Sequence, residues 1–135
     1  MTVASNITWQ PYAGLISSIE TDSCYCLKLK PNWQPNEAAQ AVARIRHQVK
    51  LPLIVEIAAD QHNGNGRLIR LAQAAAAAGA NIILLVATSF PAAKAALSAL
   101  NSAVTLPLFV NCPTANTFQR QQLRSLGAEK ILPPD

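Results

Sequence analysis

Leu51-Pro-Leu-Ile-Val-Glu-Ile57, Ile82-Ile-Leu-Leu-Val-Ala87 and Leu106-Pro-Leu-Phe-Val110 are three apolar runs of strand length, and they decide the fold of this chain. Their apolar residues run on continuously instead of alternating with polar ones. A strand with one wet face alternates, whereas a strand covered on both faces does not, and such strands belong to parallel sheets. Two shorter segments join them, so the expected strands are Cys24–Lys30, Leu51–Ile57, Asn81–Thr88, Leu106–Cys112 and Glu129–Leu132.

Helical stretches fill the intervals. Asn36–Val49 opens with a capping asparagine and carries Glu37 in its first turn, where the helix dipole favours a carboxylate. Gly66–Ala78 contains an alanine run and stops at Gly79, a residue suited to a left-handed helix end. Pro91–Ala103 begins with proline, whose missing N–H costs nothing in a first turn. Thr117–Leu126 ends before Gly127, and a short helix over Pro11–Glu20 precedes the first strand. Strands alternating with helices predict an α/β fold with right-handed crossovers. We expect one domain over residues 1–135, with 1–22 as an N-terminal extension: a five-stranded, mostly parallel sheet in a three-layer α/β/α arrangement.

Composition narrows the function classes. Of 135 residues, 50% are apolar and 13% charged, which is too apolar for a disordered chain and leaves few groups for an elaborate charged site. Three cysteines are too few for a disulfide scaffold, and the expected thiols are reduced. No apolar run is long enough to span a membrane, and Met1–Gln10 has neither the basic head nor the apolar centre of a secretory signal. The expected setting is cytoplasmic. The net charge of +4 reflects missing acids: none occurs between Asp60 and Glu129. Arg67, Arg70, Lys94, Arg120 and Arg124 occupy that interval with only Phe90 and Phe118 as aromatics, too sparse for a nucleic-acid surface.

An internal echo runs through the chain. Val49-Lys-Leu-Pro-Leu-Ile-Val55 matches Val104-Thr-Leu-Pro-Leu-Phe-Val110 at five of seven positions, and each is followed by a helix, a Gly-Ala pair and a further strand. Duplication of a two-βα unit explains it, and so does a shared solution for opening a buried strand with proline.

In parallel sheets ligands bind beyond the carboxyl ends of the strands. Those ends offer Lys30; Glu56 and the loop Asp60-Gln-His62-Asn63-Gly64-Asn-Gly66-Arg67; Thr88 and Ser89; Asn111, Cys112 and Thr114; and Pro133–Asp135. The glycine-rich loop can aim N–H groups at a phosphate with Arg67 in support, although it lacks the Gly-Lys-Ser/Thr ending of a nucleotide loop and reads equally as turn chemistry. Cys24 and Cys26 share a strand face with Lys28 and Lys30. They have no metal-ligand spacing, so no metal and no cofactor is expected. Cys112 needs a base to act as a nucleophile, and His62 is the one within reach of the same edge; His47 reads as a surface residue. Glu56 interrupts an otherwise apolar strand, where an unpaired carboxylate is costly. It either pairs with Lys28 or Lys30, or faces a ligand as a base.

Two resemblances carry these residues further. The pieces NIILLVATSFP, LPLFVNCP and LGAEKILPP resemble the later part of a response-regulator receiver domain. The resemblance places Val86 at the phosphoacceptor position, Cys112 at the hydroxyl position and Pro134 at the lysine position. It implies a receiver-like, flavodoxin-like fold with strand order 2-1-3-4-5 that cannot be phosphorylated. Such a pseudo-receiver is a non-catalytic regulatory, signalling domain whose partner is another protein or a second copy of itself. The stretch Cys24–Pro134 is similar to part of a (β/α)8 barrel. There LKLKP followed by a helix and LPLIVEIAAD resembles the Lys-x-Lys strand and first metal-ligand strand of enolase-superfamily enzymes. That likeness implies Lys28 and Lys30 as bases and Glu56 as a ligand, with later ligand positions near Ala87 and on Asn111. It also implies chain-order strands, 1-2-3-4-5, and an enzyme or fragment acting through Lys30 and Glu56 on a small carboxylate or phosphate.

Overall fold

The computed structural model describes residues 7–9, 25–30, 32–48, 50, 52–59 and 65–132. Along the chain come β1 (Ile7–Trp9), β2 (Tyr25–Lys28), α1 (Pro35–Gln48), β3 (Leu53–Ala58), α2 (Asn65–Ala78), β4 (Ile82–Val86), α3 (Phe90–Asn101), β5 (Leu108–Asn111), α4 (Thr117–Ser125) and β6 (Ala128–Leu132). The five expected strands and four expected helices are all present. The β1 strand is an addition that three residues without a flanking pattern do not announce. The expected helix over Pro11–Glu20 lies outside the described residues.

The helix starts follow local chemistry. Ser89 Oγ accepts the Ala92 N–H at 3.3 Å and caps α3, with Pro91 in the first turn. Asn116 and Gln119 cap α4 reciprocally: Asn116 Oδ1 accepts the Gln119 N–H at 2.8 Å, and Gln119 Oε1 accepts the Asn116 N–H at 3.0 Å. Asn36 is not a cap. Helix α1 starts one residue earlier, at Pro35, and Glu37 Oε1 instead accepts the Gln34 N–H at 2.8 Å.

The six described strands form one sheet in chain order, β1 to β6. Only β1 runs antiparallel to its neighbour; β2 to β6 are parallel. The α/β class and the mostly parallel sheet are as the apolar runs predict, but the order is not the receiver order 2-1-3-4-5. It is the order expected of a barrel relative. In a receiver the crossovers reverse direction once, which puts helices on both faces. Here every crossover steps the same way, and right-handed steps in one direction leave the helices on one side.

The core confirms that geometry. Ala38, Val42 and Ile45 of α1, Leu68, Leu71 and Ala75 of α2, Ala93, Leu97 and Leu100 of α3, and Leu123 of α4 form one buried cluster with Leu27, Val55, Ile57, Ile83, Leu85 and Val110 of the strands. The opposite face of the same strands buries Cys26, Ile54, Ile82, Leu84, Phe109 and Leu132 as a second cluster, with no residue of α1 to α4 among them. The four described helices thus all pack on the first face, and the α/β class with its mostly parallel sheet is as expected. Strands buried on both faces read as continuous apolar runs whatever covers the second face, so the sequence pattern could not separate the two cases.

The internal echo has a structural counterpart. The carbonyl of Pro52 accepts the N–H of Tyr25 at 3.0 Å, and that of Pro107 accepts the N–H of Ile83 at 3.1 Å, so each Leu-Pro pair ties its strand to the preceding one. Gly79 and Gly127, which follow α2 and α4, have φ of +123° and +119°, and a side chain is strained there. Both halves thus solve strand opening and helix ending in the same way.

Candidate functional site

Strand register places the polar residues of the helix-free face. Across the sheet, Lys28 (β2), Glu56 (β3), Leu84 (β4), Phe109 (β5) and Lys130 (β6) stand opposite one another in a row. Ala58, Val86, Asn111 and Leu132 make the next row towards the carboxyl ends. Alternation puts all of these on the face opposite the helices. Glu56 is buried at 8% exposure. Its Oε2 lies 3.7 Å from Lys28 Nζ, and its Oε1 accepts from the Cys26 thiol at 3.9 Å. Of the two lysines expected as partners, the structure selects Lys28, because it is the registered neighbour. Lys28 is itself 68% exposed, so water screens the pair.

Asn111 supplies the other polar group of this face. Its buried Oδ1 finds no hydrogen-bond donor among the described residues. A buried acceptor without a donor is uncommon and costs free energy. Val86, packed against the second cluster, lies between it and Ala58 in the same row.

Around the carboxyl edge, Lys30 is exposed and its Nζ sits 5.9 Å from the centre of the Trp33 ring. The Arg67 guanidinium, at the start of α2, donates to the Trp33 carbonyl, which ties the β2–α1 loop to the next helix. Trp33 is the contact that sequence reasoning missed; an aromatic three residues after Lys30 was its only signal. A side chain added at Gly66 would meet only Arg70 Nη1, at 3.5 Å, so packing does not demand glycine there. Asp60, His62, Asn63 and Gly64 lie outside the described residues.

The remaining candidates serve the loops. Ser89 is spent on capping α3, and Thr114 Oγ1 donates to the Thr88 carbonyl at 3.1 Å, joining the β4–α3 and β5–α4 loops. Cys112 is fully buried in the helix-side cluster, 3.8 Å from Thr114 Oγ1. It therefore faces away from Glu56 and Asn111. Ala87 is also buried in the helix-side cluster, so the ligand position the enolase likeness puts near it is filled on the opposite face by Val86. No group of three or more histidine, cysteine or acidic side chains is placed to hold a metal ion among the described residues. No helix among them is long and apolar enough to cross a membrane.

A parallel sheet in chain order, described helices along one face and polar side chains at the carboxyl ends of the other are features that (β/α) barrels also have. Among solved structures, a dihydrodipicolinate synthase family protein from Coccidioides immitis shares this fold, with a TM-score of 0.58 and 18% sequence identity over 73% of this chain. This chain spans 35% of the length of that neighbour. No protein-family model matches the sequence, and no curated protein does.

Proposed function

We propose that this chain is a barrel-derived module that binds a small carboxylate or phosphate at the carboxyl ends of β2 to β5. Lys30 draws the anion, and Glu56 serves as a general base beside it. The single observation behind this reading is the placement of Glu56, Lys28 and Asn111 together on the helix-free face of a sheet in chain order. Ligands of parallel sheets dock beyond those strand ends. The fold it shares with a protein named for a synthase family supports barrel ancestry. Charge supports the choice of ligand: among the described residues near this edge, Lys28, Lys30 and Arg67 outnumber the carboxylate of Glu56, so an anion is attracted there.

Titrating the isotope-labelled chain with propionate and inorganic phosphate, followed by NMR, tests the proposal. Saturable shifts at residues 28–30, 56–58, 86–88 and 111–114, weakened at least about tenfold by Lys30→Met, are expected, since each 1.4 kcal/mol is tenfold in affinity. Absence of any saturable shift at millimolar acid or phosphate overturns it. A receiver-type regulatory domain would have shown the interleaved strand order, which this sheet does not have.

A further inference from the structure

We infer that the acid taken by this site carries a hydrogen-bond donor, a hydroxyl or an ammonium group, that docks on Asn111 Oδ1. The inference rests on the proposed acid-binding role of the edge and specifies its substrate class.

The argument starts from cost. Phe109 and Asn111 share one face of β5, and a leucine in place of Asn111 would suit the apolar surface made by Val86, Leu84 and Leu132 around it. Asparagine there carries a buried carbonyl oxygen with no donor among the described residues. Burying such an acceptor without a partner is unfavourable, and the penalty disappears once a donor arrives. A ligand that brings its own donor is the chemistry that turns this cost into affinity and selectivity. A site built to hydrogen-bond a ligand group rejects the analogue lacking it, because the protein atom is then left unpaired.

The spacing sets the shape of the ligand. Asn111 lies two strands from Glu56, about 10 Å along the sheet, and three from the Lys28–Lys30 strand, about 14 Å. An acid of about three to five carbons lying across Val86 with its donor at Asn111 covers part of that span, and Lys30, whose Nζ now stands beside the Trp33 ring, swings in to meet its carboxylate. The methylenes between meet apolar side chains, while the two ends meet the two polar features of the face.

Three matched acids test this on the intact chain: propionate, 3-hydroxypropionate and 3-aminopropionate, titrated by NMR against wild type, Asn111→Leu and Asn111→Asp. For wild type, at least one donor-bearing acid binds about tenfold or more tightly than propionate, the scale of one buried hydrogen bond. The hydroxy and amino arms identify which donor it is. Asn111→Leu removes the preference, and Asn111→Asp shifts it towards 3-aminopropionate, whose ammonium group pairs with the new carboxylate. Equal affinity of wild type for all three acids, or a preference that survives Asn111→Leu, overturns the inference while leaving acid binding intact. If no acid binds at all, the proposed function falls and this inference falls with it. The wild-type comparison needs no variant to fold.

Discussion

Glu56→Leu is expected to make the protein more stable. In the structure Glu56 stands between Ile54 and Ala58 on β3, opposite Leu84 on β4, with 8% of its surface exposed. Its cationic neighbour Lys28 is 3.7 Å away but 68% exposed, so the attraction is largely screened and is worth about 0–1 kcal/mol. The desolvation cost of a buried carboxylate is several kcal/mol, and leucine in its place would gain about 1.5–3 kcal/mol from burial. Because exchanging a buried ion pair for an apolar group of similar volume is neutral to a few kcal/mol favourable, the net gain should be about 1–2 kcal/mol. For a chain of this size that raises the melting temperature by about 3–8 °C. Lys28→Met alone removes the exposed partner and should cost about 0.5–1 kcal/mol. The double variant Lys28→Met/Glu56→Leu should return to within about 0.5 kcal/mol of Glu56→Leu, because the lysine matters only through the carboxylate. Urea unfolding of the four proteins, with thermal scans alongside, measures each step. A loss of more than about 1 kcal/mol in Glu56→Leu would refute the reasoning, since it would make the carboxylate a structural anchor. A gain marks a group kept at the expense of stability, as site residues often are.

Three other outcomes follow from named contacts. Gly127→Ala should destabilise by about 1–3 kcal/mol in urea titration, because φ there is +119° and the new Cβ would lie 2.4 Å from Asn101 Oδ1. Adding Asn101→Ala to it should restore only the steric part of that loss. Asn116→Ala breaks the reciprocal cap of α4 and should cost about 1 kcal/mol in the same assay. Arg46→Ala should lower stability by about 1–2 kcal/mol without changing acid binding measured by NMR. Its Nε donates to the Gly79 carbonyl at 3.1 Å, and its Nη2 donates to Asn81 Oδ1, which also accepts the Leu53 N–H at 2.9 Å. All of these groups lie at the amino-terminal edge of the sheet, away from the candidate site.

The placement of several candidate residues was legible along the chain. Glu56 betrayed itself as a charge inside an apolar strand, and Cys26, Lys28 and Lys30 as a face of period two. Asn111 was visible only as one polar residue after an apolar run. Its orphaned oxygen depends on what surrounds it, and no local pattern reports that. Cys112 looked like its companion from sequence position, yet the one-residue step between them turns the thiol into the helix-side core. Trp33 gained its role from Arg67, which is 34 residues away in sequence.

By itself the sequence determined the kind and order of β2 to β6 and α1 to α4 to within a few residues at their ends, that the central strands are buried on both faces, and that the sheet is mostly parallel. Those properties follow from local periodicity, capping residues and glycine conformations, which act within a few residues. The tertiary structure decided the order of the strands and the face on which the described helices pack. It also decided that Lys28, the registered neighbour, faces Glu56 at 3.7 Å. A crossover helix looks the same whether it steps left or right along the sheet. Only the packing of one complete unit on the next selects the direction, and that direction brings Glu56 and Asn111 to one face of the sheet.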